Sequence, residues 1–516
     1  MTKQTSENRY RWLLLFSISM MAFVTNGDYL AVNFSLVQIT SELHTTINIA
    51  QWILSGYMLA WATLVIPSGK LLDKYDPKHI CILGIGIFLL ASTMAGLASS
   101  IGMLIAARLL QGIGGAVFLP TIYSMIYSHF DEKERGKAMG LIGLAVGVGL
   151  ALGPVIGGFL VTWANWQSIF FVNIPIGIVA MTIIYAGKGR APQSNVTDPI
   201  SRSSILLLSL ISISTLFTLS NWPEWSSNPL LYIFYATGIM TALIVFLKIQ
   251  QYIHNPLIPS ELFKNHAYWG CCLGILLVEF SFSSVMVIVG LYLQNILHLT
   301  SLMSGNIFLS MSIVFGVIAA MGGSWVDKKG LAGPTLLGLS ITAFGALFFS
   351  LFASTFNLWI ISSLFMMMGI GLGLSFTGLN TGIVKTVPQK YLGIASSIFL
   401  MITLLGNALG VTIATMIYES FSLNKLLTYM EKLGYNFNFS EKKQLAIHIG
   451  NMSGTSNTLE TFTSTIQNDV FSNMVPSLNA GIKSAMMINF LLSVCIIIFC
   501  SILFNRKTTL NGENNG

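Results

Sequence analysis

Charged residues are scarce in this sequence. Asp, Glu, Lys and Arg together make up 9% of the 516 residues, against 54% hydrophobic, whereas soluble globular chains carry about a quarter charged residues. A soluble multidomain architecture is therefore excluded, and an integral membrane protein is implied. Cysteine is scarce too. The five (Cys81, Cys271, Cys272, Cys495, Cys500) fall in apolar runs or at their ends, without metal-ligand spacing, so they are expected to pack, and neither a disulfide framework nor a metal site is implied. No GxxxxGK[ST] phosphate loop occurs, which argues against an ATP-driven pump on this one chain. Neither an enzymatic activity nor a cofactor is expected.

What the chain does have is long, continuous apolar runs. A transmembrane helix needs about 20 predominantly apolar residues, whereas a β-barrel shows short alternating segments. Runs bounded by polar clusters lie near 12–37, 49–68, 80–98, 101–127, 138–161, 166–186, 203–220, 229–248, 268–293, 304–325, 333–352, 357–384, 393–418 and 484–504, giving fourteen expected spans and an all-α membrane fold. The basic N-terminal stretch MTKQTSENRYRW precedes an apolar run too long for a leader, with no small-residue cleavage site. A first span is expected there.

The placement of basic residues tests the count. With the N-terminus in the cytoplasm, the expected inner segments hold twenty of the twenty-six Lys and Arg, from Lys3, Arg9 and Arg11 to Arg506 and Lys507, and the six short outer loops hold none. Five more lie along one long outer segment, 419–483, a length to which the positive-inside rule scarcely applies, and Arg108 lies inside a span. Both termini are thus expected in the cytoplasm of a bacterial inner membrane. The +7 net charge faces anionic lipid, with no need for a nucleic-acid partner.

The sequence also repeats. GKLLDKYDPK, with Gly69, Asp73 and Lys74, follows span two, and GSWVDKKG, with Gly323, Asp327 and Lys328, follows span ten at an offset of 254. Gly136, before span five, is matched by Gly393, before span thirteen, at 257. Two six-helix halves are implied, residues 1–190 and 261–516, joined by a two-helix insert over 191–260. In YDPKHI, Asp76 is expected to cap span three and Pro77 to occupy its first turn. The charged pair Asp73 and Lys74, with its copy at Asp327 and Lys328, reads as a hinge or latch, against the alternative of a solvated loop.

Three ionisable residues lie well inside spans: Asp28, Arg108 and Glu279. A buried charge costs at least about 2.5 kcal/mol on insertion scales, so each is a candidate functional group. Asp28 and Arg108 lie about eight and seven residues from the outer ends of their spans, which places both roughly 10 to 12 Å deep. Two readings stand for Asp28: a structural ion pair or cap after Gly27, or a desolvated carboxylate that exchanges a proton or neutralises a cation. Glu279 either bonds neighbours such as Ser281 or Ser283, or binds a proton or a cationic substrate. Arg108 does not titrate and reads as a fixed charge tuning a carboxylate. The stretch GLIGLAVGVGLALGPVIGG, Gly140 to Gly158, has glycines and Pro154 in a segment without charge. Small residues there let helices approach closely. Gly140, Gly149, Gly153 and Gly157 are expected to share one broad face, with a kink at Gly153 and Pro154, and to form a contact between the two bundles.

These residues resemble the major facilitator superfamily, in particular its fourteen-helix drug:proton antiporter branch, over nearly the whole chain. GKLLDKYDPK is similar to the loop motif after the second helix, although Asp76 stands where Gly is usual. RLLQGIGGA, from Arg108, is similar to the fourth-helix motif whose arginine is implicated in proton coupling. Gly140, Gly149, Gly153, Pro154, Gly157 and Gly158 match the fifth-helix antiporter spacing, GDYLAVNFSL resembles the first-helix motif with Asp28, and WQSIFFVNIPIG resembles the sixth-helix signature. The resemblance implies two pseudo-symmetric six-helix bundles plus two extra helices rocking around a central cavity, and multidrug efflux driven by proton entry. Span thirteen lacks the core carboxylate that several relatives carry there, since Glu419 lies at its outer end, which leaves coupling to Asp28 and Glu279.

The expected function is proton-coupled export of amphipathic, cationic or aromatic small molecules, the gradient serving as energy source. Met- and Phe-rich walls, with 24 Met and 33 Phe in the chain, suit varied apolar shapes. Export of one endogenous metabolite such as a siderophore fits within the same class. A non-transporting membrane sensor or scaffold is the different-class alternative, weakened by the retained Asp28, Arg108 and Glu279. Segment 419–483, with an amphipathic patch at Leu426–Leu433, reads as a partly helical cap, a contact for a periplasmic adaptor protein, or a flexible loop.

Overall fold

In lipid, every backbone N–H and C=O must find its partner within its own segment, so long apolar runs become helices. The computed structural model describes residues 2–45, 47–50, 52–187, 229–252, 260–297, 301–352, 357–438 and 462–505, with isolated positions in 204–218, at 299 and in 441–449. In chain order the principal helices are α1 (Thr2–Glu42), α2 (Trp52–Lys74), α3 (Pro77–Gly96), α4 (Ile101–Phe118), α5 (Thr121–His129), α6 (Arg135–Trp163), α7 (Ser168–Ala186), α8 (Pro229–Tyr252), α9 (His266–Leu291), α10 (Ser301–Lys329), α11 (Ala332–Phe352), α12 (Leu358–Thr386), α13 (Leu392–Lys432) and α14 (Ser464–Asn505). Among the described residues, twelve helices or helix pairs are long and apolar enough to cross a membrane. The span expected over 203–220 lies outside the continuously described residues, and α8 occupies the expected position of its partner.

Local chemistry sets the helix starts. Asp76 accepts from the Lys78 amide at 2.9 Å, with Pro77 in the first turn of α3. Asn265 caps α9 through the Tyr268 amide at 3.0 Å, and Asn357 caps α12 through the Trp359 amide at 2.9 Å. Span four is interrupted at Leu119 and Pro120, giving α4 and α5, because Pro120 has no N–H to continue the ladder.

Two helices correct the sequence reading. Spans thirteen and fourteen were expected to end at 418 and to start at 484, but α13 continues to Lys432 and α14 begins at Ser464. The two helices pack along these extensions, burying Leu426 and Met430 with Val470, Met474 and Leu478. The amphipathic patch is thus the continuation of a membrane helix, held upright by a partner helix. Gly434, at φ +89°, ends α13, with the Tyr435 amide returning to the Met430 carbonyl at 3.0 Å. The Tyr435 hydroxyl donates to Asp469 at 2.8 Å and ties the end of α13 to the first turns of α14.

Close packing at glycines fixes the internal repeat residue by residue. A methyl at Gly149 would sit 2.6 Å from the Phe23 carbonyl oxygen, and one at Gly406, 257 residues on, 2.7 Å from that of Leu276, which is 253 beyond Phe23. Gly114 meets the Phe88 amide, and Gly371 meets that of Thr342, each at 2.6 Å, at offsets of 257 and 254. Helices α1 to α7 and α9 to α14 therefore repeat one plan. The halves meet where the basic loops lie: α6 runs along α10, and α2 along α13.

Candidate functional site

Asp28 on α1 and Arg108 on α4 are both fully buried, and the structure joins them: Arg108 Nη1 donates to Asp28 Oδ2 at 2.5 Å. The common depth expected from helix rise is therefore a direct contact. The other carboxylate oxygen, Oδ1, accepts from Asn173 Nδ2 of α7 at 2.8 Å. Arg108 also donates to Gln111 Oε1 at 2.6 Å and to the Ile53 carbonyl at 3.1 Å, and Gln111 Nε2 reaches Ser92 Oγ at 2.9 Å. Its guanidinium lies 4.4 Å from the Tyr57 ring centre and 5.8 Å from that of Phe170. One ion pair thus links α1, α2, α3, α4 and α7, the core of the first half. A buried ion pair offsets its desolvation only with good geometry and further hydrogen bonds, and Asn173, Gln111 and Ile53 supply them. Arg108 Nη2, the Tyr57 hydroxyl and Trp61 Nε1 find no partner among the described residues.

The repeat supplies an internal control. Asp28, Tyr57, Ser92, Arg108 and Gln111 correspond to Ser281, Met311, Ala346, Phe365 and Met368, all buried in the second half. Asn489 of α14 accepts from Ser281 at 3.0 Å, a first-to-last helix contact like that of Asn173 with Asp28. The same helix packing is therefore built in the second half with no charge at all.

Glu279 stands apart from this pair. It lies on α9 beside α13, hydrogen-bonded to Asn407, and a methyl at Gly406 would lie 3.1 Å from its Cβ. Residues three and seven further along α9, Phe282 and Met286, line a small apolar cavity between the halves with Leu30, Leu150 and Phe308. Glu279 shares that helix face.

A second polar centre lies between the halves at their basic face. Asp327, at the end of α10, accepts from the Gly136 amide at 3.0 Å and the Lys137 amide at 2.9 Å, in the first turn of α6, and pairs with Lys385 of α12 at 2.7 Å. A carboxylate on free amides at a helix N-terminus is a favoured arrangement. Arg11 pairs with Glu134 at 2.6 Å, and the Tyr123 hydroxyl donates to Asn380 Oδ1 at 2.6 Å, a buried bond between halves. Lys74 and Lys328 are exposed, Lys74 lying over Tyr75, while the side chain of Asp73 lies outside the described residues. Gly69 packs on Gly393 and Ser397, as Gly323 packs on Gly136.

The glycine-rich stretch divides its work. Gly140 and Gly147 meet Ala319 and Gly316 of α10, across the halves, but Gly149, Gly153 and Gly157 meet Phe23, Gly27 and Ala31 of α1, within the first half. The expectation of one inter-bundle face is corrected accordingly. A continuous α-helix turns 100° per residue, so the positions 9, 4 and 4 apart drift between two neighbours. A methyl at Gly158 would meet nothing within 4 Å among the described residues, and the Pro154 side chain lies outside them.

Sequence reasoning missed Asn173, Gln111, Asn380 and Lys385. Asn173 and Gln111 each lay inside a motif quoted for another reason, and an amide in an apolar span was the available signal.

The profile of the Major Facilitator Superfamily matches residues 13–411. The methylenomycin A resistance protein of Bacillus subtilis (strain 168) is 31% identical over 412 residues, covering 78% of this chain and 87% of that one. The tetracenomycin C resistance and export protein of Streptomyces glaucescens is 27% identical, covering 79% and 76%. Among solved structures, the human organic anion transporter MFSD10 superposes with a TM-score of 0.63 at 10% identity, covering 96% of this chain and 99% of that one.

Proposed function

The chain belongs to the major facilitator superfamily, and on that premise we propose that it exports amphipathic cationic or aromatic small molecules from the cytoplasm in exchange for protons. The basic face is then cytoplasmic, and the structure corresponds to the state closed on that side. The observation that carries the reading is the contrast between halves. Where the second half has Ser281, Phe365 and Met368, all buried, the first half holds a buried ion pair that the packing does not require. Charge kept inside lipid without a folding need points to work that uses it.

The chemistry follows from the contacts. A proton arriving on Asp28 neutralises the partner of Arg108 and removes the strongest tie between α1 and α4. Asn173 and the Ile53 carbonyl remain to hold the neutral acid and the guanidinium in place. The altered balance is passed to α6, because Gly149, Gly153 and Gly157 seat α6 directly on α1 around Gly27. The other end of α6 carries the amides held by Asp327. One continuous helix therefore connects the Asp28–Arg108 pair to the cytoplasmic latch, and proton release inward closes the cycle. Glu279, on the face that lines the cavity between the halves, serves the cationic cargo.

The test is transport in proteoliposomes with an imposed pH gradient and tetraphenylphosphonium as cargo, for wild type and Asp28→Asn. Wild type is expected to move the cation only with the gradient, and the variant to lose that dependence. Gradient-independent movement by wild type, or an unaffected variant, overturns the coupling.

A further inference from the structure

Resting on the cation-export reading, we propose that Asn26 is a specificity-determining residue, the pseudo-symmetric counterpart of Glu279 on the opposite wall of the central cleft. The register is set by two independent contacts. Phe23 under Gly149 matches Leu276 under Gly406, and Gly27 under Gly153 matches Phe280 under Gly410. Both pairs place α1 and α9 at an offset of 253, at which Asn26 falls on Glu279. On the neighbouring helices, Leu150 matches Asn407 at 257.

Both members of the pair face the space between the halves. Leu30, one turn beyond Asn26, lines the cavity with Leu150, and Phe282 and Met286, beyond Glu279, line it from the other side. Asp28, two residues past Asn26 and so about 200° around the helix, points the other way, into α4 and α7. The charge that couples and the position that meets cargo are thus on opposite faces of α1.

The two walls differ in chemistry at equivalent positions. The second half presents a carboxylate and an amide, Glu279 and Asn407, and the first half presents an amide and an apolar side chain, Asn26 and Leu150. Asn26 Nδ2 donates to the Ala22 carbonyl at 2.8 Å, which leaves Oδ1 without a donor among the described residues and free to accept. A cleft so built holds one positive charge against its second-half wall, with the apolar body of the cargo spread toward Leu30 and Leu150. It offers no second carboxylate for a dication. The identity of residue 26 therefore sets how many charges the cargo carries and which wall holds them.

The experiment measures binding of tetraphenylphosphonium, a monocation, and dequalinium, a dication, to the purified full-length chain in lipid nanodiscs. Wild type is expected to hold tetraphenylphosphonium, and Glu279→Gln to weaken it about tenfold or more, equivalent to about 1.4 kcal/mol. Asn26→Asp is expected to raise affinity for dequalinium relative to tetraphenylphosphonium by at least about tenfold. The exchanged variant Asn26→Asp with Glu279→Gln is expected to regain most of the monocation binding that Glu279→Gln loses. Asn26→Lys, which adds a repelling charge without relying on a buried acid, is expected to weaken the monocation while leaving the thermal midpoint unchanged. An exchanged variant no better than Glu279→Gln, with an unchanged ratio in Asn26→Asp, overturns the role of Asn26 while leaving the cation reading intact. Binding of neither cation by wild type and Asn26→Asp overturns both.

Discussion

Giving the first half the chemistry of the second is the sharpest perturbation this protein offers. Asp28→Ser and Arg108→Phe, made together, install the side chains that stand at positions 281 and 365. Either change alone strands a charge that is 0% exposed, and breaking a buried pair from one side costs about 3 to 5 kcal/mol. The pair removed together leaves no stranded charge. What is lost is the donors to Gln111 and the Ile53 carbonyl and the acceptor for Asn173, about 1 to 3 kcal/mol for each buried polar group left unpaired, partly relieved by rotation of the amides. The same groups are left unpaired in the single variants, so their cost cancels in the cycle, and the coupling is the stranding of the two charges, within the about 1.5 to 7 kcal/mol measured for close charge pairs. Thermal or denaturant unfolding of the purified variants in one detergent reads the coupling, and proteoliposome flux under a pH gradient reads the function. The double variant is expected to be nearer wild type in stability than either single variant and inert to the gradient. Additive destabilisation would refute the claim that the second half shows how the first can fold uncharged, and gradient-driven export by the double variant would refute the functional claim.

Further predictions follow from the same contacts. Asp327→Asn removes the ion pair with Lys385 and the charge on the first amides of α6, a loss of about 1 to 2 kcal/mol at a partly buried helix end. It is expected to raise several-fold the maleimide labelling, from the basic side, of a cysteine placed at the buried Asn380 in a cysteine-free background. Gly157→Leu drives side-chain atoms into Ala31, whose Cα would be 2.8 Å from the new Cβ, whereas a Cβ at Gly158 would meet nothing within 4 Å among the described residues. Overpacking costs about 1 to 3 kcal/mol, so Gly157→Leu is expected to lose thermal stability and tight transport while Gly158→Leu keeps both. Met430→Ala, at a position fully buried between the helical extensions, is expected to cost about 2 to 5 kcal/mol locally. It is expected to speed proteolytic clipping within the extensions themselves, at 426–438 and 462–478, without changing membrane insertion.

The class and plan of the molecule are legible in the sequence because the bilayer imposes them: a scarcity of charge and runs of about 20 apolar residues leave little but transmembrane helices. The repeat is legible too, through Gly69 and Gly323 and through Gly136 and Gly393. Asp28, Arg108 and Glu279 stood out as the three ionisable residues well inside the spans, since a charge in lipid is expensive wherever it points. Partnership is what the linear chain does not encode. Asp28 and Glu279 look equivalent as isolated acids, yet the first is clamped between Arg108 and Asn173 and the second lies beside Asn407 on the cleft side of α9. A shift of two residues turns a helical side chain through most of a half circle, and only packed neighbours say which direction is cleft and which is core. The glycines of α6 make the same point: their spacing marks close approach, but which residues approach α10 and which approach α1 depends on where two other helices lie. Composition and periodicity thus determined that this chain crosses the membrane as two repeated bundles. The tertiary structure alone decided which charges meet, which contacts join the halves, and which positions face the cavity between them, because those are distances between segments far apart in the chain.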